Sequence, residues 1–256
     1  MIKLSAMENE IYKRQMMQSN WGEEKQLILK SKSALIVGAG GLGSPASINL
    51  AIAGIGEIRI CDYDNVEYSN LNRQILHNKD RVGLNKAISA KKTLGIYNEN
   101  VSVTVFTERL TSENIDKITG NAEVIIDCLD NFETRFVLNQ YAIDKQIPII
   151  YGSVWGFDGR LSFIKYPETP CLQCVFEEAP PKKIFPVIGA AASVIGALQA
   201  MEAIKYLVGY GSNIKNRLLV WEGGNMSFRT FKLSINKNCA ICGAQRKVGF
   251  KWEHCR

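Results

Sequence analysis

The stretch from Ser33 to Asp62 restricts the fold more than any other part of the chain. A short apolar run, Ser33 to Val37, leads without a polar spacer into Gly38-Ala39-Gly40-Gly41-Leu42-Gly43. Ser44 to Ala53 then reads as a helix and Ile58 to Cys61 as a second strand, closed by Asp62. A strand that turns on glycines into a helix and returns as a strand predicts a right-handed parallel crossover. In such a unit the first glycine permits the tight turn, the second lets backbone approach a phosphate, and the third allows close helix packing. The helix N-terminus adds amide donors and a partial positive charge suited to an anion. Asp62 follows Gly38 by 24 residues, the place from which a carboxylate accepts hydrogen bonds from ribose hydroxyls. The unit predicts a Rossmann-like nucleotide site, the plain alternative being glycines that serve only a turn. It does not choose between NAD and ATP.

Downstream, Lys86 to Leu94 reads as a helix, Val101 to Thr107 as a strand, Thr111 to Ile118 as a helix and Val124 to Asp127 as a strand. Phe132 to Asp144 is a helical pattern and Pro148 to Tyr151 a further strand. Short apolar strands alternating with helices predict an α/β fold with a mostly parallel sheet covered on both faces. After residue 152, Arg160 to Ile164, Leu218 to Trp221 and Met226 to Leu233 read as strands, and only Ser193 to Val208 reads as a long helix. That change predicts an antiparallel C-terminal extension. The expected organisation is a helical arm over 1–30, with Glu23 to Leu29 as its second helix, capping its own domain or reaching to a partner. A nucleotide-binding half over 31–152 follows, then a second half of the same domain over 153–256. Phe176 to Pro186 reads as an exposed loop.

The chain is 46% hydrophobic over 256 residues, enough to bury a core without disulfides. Lys and Arg number 31 against 25 Asp and Glu, a net +6 with no basic block, which argues against nucleic-acid and membrane-surface binding. A phosphate site or an acidic protein partner accounts for the same excess. Met1 to Glu10 lacks the apolar core of a leader, so the expected compartment is cytoplasmic. Val187 to Met201 is the least polar stretch, but Glu202 and Lys205 follow at once; it reads as a buried helix rather than a bilayer span. The seven cysteines are an odd set for a disulfide framework. Four form two CxxC pairs, Cys171 with Cys174 and Cys239 with Cys242, separated by 64 residues. Two such pairs supply four thiolates to a closed, structural zinc site; redox-active or metal-free pairs are the alternative. Cys61 and Cys128 end apolar strands and read as packing residues, and Cys255 has no evident role.

Asn70, Arg73 and Gln74 lie in a polar loop, Lys86 opens a helix, and Asp130 lies just past a strand at the carboxyl edge where open sheets bind ligands. Arg offers a planar fork for phosphate oxygens and Lys a mobile charge. A carboxylate beside a triphosphate is explained by magnesium. The bland readings are solvated charges for Arg73 and Lys86, and helix caps for Asp127 and Asp130. The two histidines, His77 and His254, are not placed for the acid–base work of hydride transfer. This turns the balance from a nicotinamide toward ATP.

With these motifs the chain resembles the ThiF/MoeB/HesA proteins, relatives of the adenylation half of ubiquitin-activating enzymes. Arg14-Gln15 fits an N-terminal motif and Gly38 to Gly43 the nucleotide loop; Asp62-Tyr63-Asp64 and Asn70-Leu71-Asn72-Arg73-Gln74 fit the next two blocks. Val82-Gly83 with Lys86-Ala87, Asp127 to Phe132 with Arg135, the two CxxC pairs and Leu198 to Lys205 complete the likeness, which covers essentially the whole chain. The resemblance implies ATP-dependent activation of the C-terminal Gly-Gly carboxylate of a ubiquitin-like sulfur carrier, with pyrophosphate released. It implies a nucleotide site made of Gly38, Gly40, Gly41, Gly43, Asp62, Asp64, Asn70, Arg73, Gln74, Lys86, Asp130 and Asn131. Within it Asp62 holds the ribose, Asn70, Arg73 and Lys86 contact phosphates, and Asp130 holds Mg²⁺. Family members commonly carry the four-cysteine zinc site, and the resemblance implies that 153–256 is the carrier-binding and zinc-bearing half. The counterpart of Arg14 enters the neighbouring subunit's site, which implies a homodimer; a local helix-face charge is the alternative.

The sequence departs from the family pattern in one place. Many members carry a cysteine in the loop after the first CxxC, near the position of Lys182, but no cysteine lies between Cys174 and Cys239. That argues against a persulfide or thioester step on this chain. No rhodanese extension is visible, so a separate sulfur donor is expected. Thiamine-type and molybdopterin-type carriers both stay open. Another peptide or secondary-metabolite C-terminus is the same-family alternative, and an oxidoreductase or a catalytically silent binding protein the different-class ones.

Overall fold

The computed structural model describes residues 3–179 and 186–243. Their strands form one eight-stranded sheet in the order β3-β2-β1-β4-β5-β6-β7-β8. Strands β1 (Ser33–Val37), β2 (Glu57–Cys61), β3 (Ser102–Phe106), β4 (Val124–Asp127) and β5 (Ile149–Trp155) are mutually parallel. Strands β6 (Asp158–Ile164), β7 (Arg217–Glu222) and β8 (Ser227–Lys232) continue the sheet antiparallel. The architecture is the α/β sheet with an antiparallel extension that the sequence predicts. Every residue of β1 and β4 is buried, which is why both read as unbroken apolar runs rather than alternating ones.

Helices cover both faces of the parallel part. On one side α3 (Gly43–Ala53), α4 (Lys86–Tyr97) and α8 (Gly189–Val208) enclose a core that includes Ile36, Leu50, Ile60, Leu94, Ile126 and Ile195. On the other, α5 (Ile115–Thr119), α6 (Phe132–Lys145) and the short α7 (Leu172–Val175) enclose Leu35, Ile118, Ile125, Leu138 and Tyr151. The helix expected over 111–118 is shorter and later. Asn114 Oδ1 accepts from the Thr111 amide (2.8 Å) and Thr111 Oγ1 from the Glu113 amide (3.3 Å), so side chains hold a turn there before the helix begins.

Helix α8 is long and apolar enough to cross a bilayer by composition, yet over half of it is buried in this molecule, against β4, β5 and β6. Its Gln199 side chain donates to the carbonyls of Asp127 (2.7 Å) and Ile150 (2.9 Å), strapping the ends of β4 and β5. The arm consists of α1 (Ala6–Met16) and α2 (Gly22–Lys30) and caps its own domain. Gln15 and Gln26 both donate to the Ala53 carbonyl, at 3.0 and 2.9 Å, and buried Tyr12 receives a hydrogen bond from Asn98.

The order of strands reverses at β1: the chain runs outward through β2 and β3, then returns to β4 on the other side. The two crossovers leave in opposite directions there and open a crevice at the strands' carboxyl ends, where open α/β sheets bind ligands.

Candidate active site

A cleft of about 1710 Å³ occupies that crevice. Single small-molecule pockets are roughly 300–1,000 Å³, so this one has room for a nucleotide and part of a second reactant. Its floor is the glycine turn. Gly38 stands at φ 98°, where a side chain is strained, and a Cβ there would meet the Cys128 carbonyl at 2.7 Å. A Cβ on Gly43 would stand 1.8 Å from the Gly38 carbonyl, so Gly43 serves the turn's closure and does not itself line the cleft. Gly40 and Gly41 do line it.

Asp62, just past the end of β2, faces the turn. Its carboxylate accepts from the Ala39 amide (2.7 Å) and the Asp64 amide (2.9 Å). Burial pushes its pKa above the ordinary aspartate value, against the opposing pull of Lys86 and these two amides. Lys86 opens α4, whose N-terminus is capped by Asn85, and its buried ammonium pairs with Asp64 at 3.0 Å. Arg73 reaches the cleft from the loop after β2, with its guanidinium on the Ser69 carbonyl (2.9 Å) and Asn72 Oδ1 (3.0 Å). Gln74 lies beside Gly40; its Oε1 is buried and has no protein partner. Such an orphaned acceptor at a cleft wall fits a ligand donor.

Asp130 is exposed at the opposite wall, and Asn131 beside it caps α6 by accepting from the Thr134 amide (2.9 Å). The turn that carries Asp130 is anchored from below. Asp127 Oδ1 accepts from the Leu129 amide (3.1 Å), while Arg135 donates to the carbonyls of Leu129 (2.5 Å) and Gly152 (2.7 Å) and pairs with Asp127 (3.1 Å). Asp127 thus works inside the protein, and Asp130 stands at the cleft.

The structure brings together Gly38, Gly40, Gly41, Asp62, Asp64, Arg73, Gln74, Lys86, Asp130 and Asn131. It places three expected residues elsewhere. Gly43 lies behind the turn. Asn70 is buried, its Oδ1 accepting from the Glu67 amide (3.1 Å), so it shapes the loop that presents Arg73. Arg14 is exposed on α1 and borders a separate shallow hollow with Glu10, Ile11, Lys13 and Met17. Sequence reasoning missed Tyr63, Ser69, Arg109, Ser153 and Arg160, which also line the cleft. No spacing signal marks these five as a set; only the fold brings them to the wall.

Beyond Asp130 the cleft continues over Ser153, Arg160, Val220, Arg229 and Phe231, across the face of β6–β8 opposite α8. Arg160, Arg229 and Phe231 are exposed on that face. The cysteine pairs meet away from the glycine turn, where α7 begins. Cys171 Sγ is 3.9 Å from Cys174 Sγ and 3.7 Å from Cys239 Sγ, Cys174 Sγ is 3.3 Å from Cys242 Sγ, and all four lie within 4.8 Å. Four sulfurs each about 2.3 Å from a tetrahedral zinc stand about 3.8 Å apart, so the cluster fits that ion. Cys61 and Cys128 are buried, and burial raises both thiols, Cys61 to about 12, in keeping with packing roles. Cys255, His254 and the position of Lys182 lie outside the described residues.

A Rossmann-like sheet whose cleft gathers a glycine turn at a helix N-terminus, a carboxylate past the second strand, two cations and a second carboxylate has the architecture of a nucleotide-binding α/β protein. The ThiF family model matches residues 12–242, and the chain belongs to that family. It is 40% identical over 241 residues to the adenylyltransferase and sulfurtransferase MOCS3 of Drosophila ananassae, covering 91% of this chain and 53% of that protein. It is likewise 40% identical to MOCS3 of Culex quinquefasciatus, covering 94% and 56%. The chain therefore spans about half the length of these curated relatives. Among solved structures, PaaA superposes with a TM-score of 0.77 at 26% identity, over 90% of this chain and 75% of that one. E. coli MccB with MccA-N7isoASN superposes with a TM-score of 0.83 at 25% identity, over 92% and 75%.

Proposed function

We propose that this chain is an ATP-dependent adenylyltransferase that activates the C-terminal Gly-Gly carboxylate of a ubiquitin-like sulfur carrier. The observation that carries the reading is the continuity of one cleft. It begins at the glycine turn, Asp62, Arg73 and Lys86, passes Asp130, and runs onto the exposed Arg160, Arg229 and Phe231 of β6–β8. A nucleotide at one end and an extended peptide tail along the other would meet beside Asp130. The adenylyltransferase activity of the MOCS3 relatives agrees with the first half of this assignment.

In the reaction a carboxylate oxygen attacks the α-phosphorus, the bond from that phosphorus to the β-bridging oxygen breaks, and pyrophosphate leaves with the electron pair. The attacking group is already ionised at neutral pH, so no general base is needed. Asp62 would hold the ribose, and the amides of the glycine turn and the α3 N-terminus would hold phosphate oxygens. Lys86, released from Asp64, and Arg73 would offset charge building up at the α-phosphate. Asp130 is an exposed carboxylate at the phosphate end, a hard oxygen donor of the kind that binds Mg²⁺ together with phosphate oxygens. Bound there, Mg²⁺ would neutralise charge on the phosphates. The residues over 153–256 would form the carrier-binding and zinc-bearing half, and the four thiolates a structural zinc site.

ATP–pyrophosphate exchange tests the assignment, run with small carriers of the thiamine and molybdopterin types and with carriers lacking the last glycine. Exchange should require an intact tail on one carrier, and Arg73→Ala or Asp130→Ala should slow it by about 10²–10³-fold. Unchanged exchange in those variants would overturn the site assignment. The likeness to MccB keeps a second reading, a different C-terminal carboxylate as substrate. ATP binding without exchange on either carrier would favour it.

A further inference from the structure

His77 follows the loop that carries Arg73 and Gln74, and its side chain is buried away from the cleft. One ring nitrogen, Nε2, lies 2.9 Å from the Ala39 carbonyl in the glycine turn. The other, Nδ1, lies 2.9 Å from the Ser89 hydroxyl on α4, one turn beyond Lys86. A carbonyl only accepts, so Nε2 carries a proton, and in the neutral ring Nδ1 then accepts from Ser89. The neighbouring residue completes the junction. The Leu76 amide donates to Ser44 Oγ at the start of α3 (3.4 Å), and its carbonyl accepts from Thr93 Oγ1 on α4 (2.6 Å). Arg81 adds a bond to the Ser89 carbonyl (2.8 Å). Three segments that face the cleft, the glycine turn, the Arg73 loop and the Lys86 helix, therefore meet at this imidazole.

We infer that His77 is a positioning residue whose imidazole ties the glycine turn to the Lys86 helix and presets the spacing between the turn's amides and the cation that meets the phosphates. The Ala39 peptide is held from both sides: its amide by Asp62 (2.7 Å) and its carbonyl by His77. That double hold sets the direction in which the Gly40 and Gly41 amides point. Burial, with Lys86 and Arg81 nearby, depresses the imidazole to about 4, so at neutral pH it is uncharged and does not compete with Lys86 for an anion. A phenylalanine would fill the same space with neither bond. A glutamine would retain a donor for Ala39.

The inference rests on the nucleotide-binding reading, and the test separates the two. Isothermal titration of the full chain with a non-hydrolysable ATP analogue and Mg²⁺ is combined with ¹⁵N NMR of the histidine ring. The wild-type ring should be neutral with its proton on Nε2. His77→Phe should fold and bind the analogue about 10-fold more weakly, in line with loss of a positioning hydrogen bond. His77→Gln should recover part of that loss. Ser89→Ala should weaken binding by about 2- to 5-fold and release the tautomer preference. A purely structural role would lower the melting temperature and leave the affinity of folded protein unchanged. Affinity of folded His77→Phe within about 2-fold of wild type, or a proton resident on Nδ1, overturns the inference. If His77→Phe does not fold, unchanged affinity in both His77→Gln and Ser89→Ala overturns it. Absence of binding by the wild type removes the nucleotide reading and this inference with it.

Discussion

The glycines of the turn look alike in sequence and do different work. Gly43 is closed in by the Gly38 carbonyl, and any side chain there must move backbone. A Cβ on Gly40 would meet only Gln74, its Nε2 at an ordinary 3.5 Å. Gly40→Ala should therefore fold with a near-normal melting temperature and lose nucleotide affinity, because the methyl group occupies the approach to the cleft. Gly43→Ala should be destabilised by about 1–3 kcal/mol or more, as overpacked sites are. Parallel melting and nucleotide-titration curves check the pair, and equal behaviour of the two would contradict this division. The places of Asp62, Lys86 and Asp130 at the cleft were legible because the two acids follow strand ends and the lysine opens a helix, whereas Arg73 was marked only by its polar loop and motif. That of Asn70 was not legible, since its motif position does not say whether the amide faces the cleft or closes its own turn. The structure shows the latter, with the Glu67 amide as partner.

At the scale of elements, the arm is held by a buried charge pair as well as by apolar packing. Burial works against the charge on Glu8, but Lys30 at 2.5 Å and the amide and hydroxyl of Ser5 outweigh it and hold the carboxyl below its ordinary 4.5. A depressed carboxylate pKa contributes stability that is complete above the unfolded value and lost as pH falls through the folded one. Amide exchange in α1 should accelerate below pH 4.5 ahead of the sheet, and Glu8→Gln should remove that pH dependence. The cysteine hairpins are a second element-scale tie, joining the start of α7 to residues 239–242 across the chain. Purified protein should hold about one zinc per chain. Its removal by a strong chelator should lower the melting temperature by several degrees, with nucleotide affinity kept, because none of the four cysteines lines the cleft. The α5 boundary shows the limit of pattern reading: Asn114 and Thr111 use their side chains to build a turn that hydrophobic periodicity cannot register.

At the scale of the whole molecule, Arg14 lies on an exposed face of α1 with Met7, Ile11 and Met17 and does not reach its own cleft. In the homodimer that the family resemblance implies, it would serve the partner's nucleotide. Arg14→Ala and Lys86→Ala should each lose exchange activity alone. After subunit mixing, each mixed two-fold dimer regains one intact site, so about a quarter of wild-type activity should return. No recovery, with exchange of subunits demonstrated, would assign Arg14 to a local role. By itself the sequence determined what is local: the central strands β1 and β4 from their unbroken apolar runs, the nucleotide turn from three glycines and a following acid, and the metal-type cysteine pairs from their spacing. Those signals are periodic or fixed in offset, so they survive in one dimension. Only the tertiary structure decided which polar residues turn to the cleft and which to their own loops. It also brought Tyr63, Arg109 and Arg160 to one cleft, left Arg160, Arg229 and Phe231 exposed on β6–β8, and buried His77 at the meeting of three segments. Those outcomes depend on contacts between residues far apart in the chain, and their energies are set by burial and partner geometry that no local pattern contains.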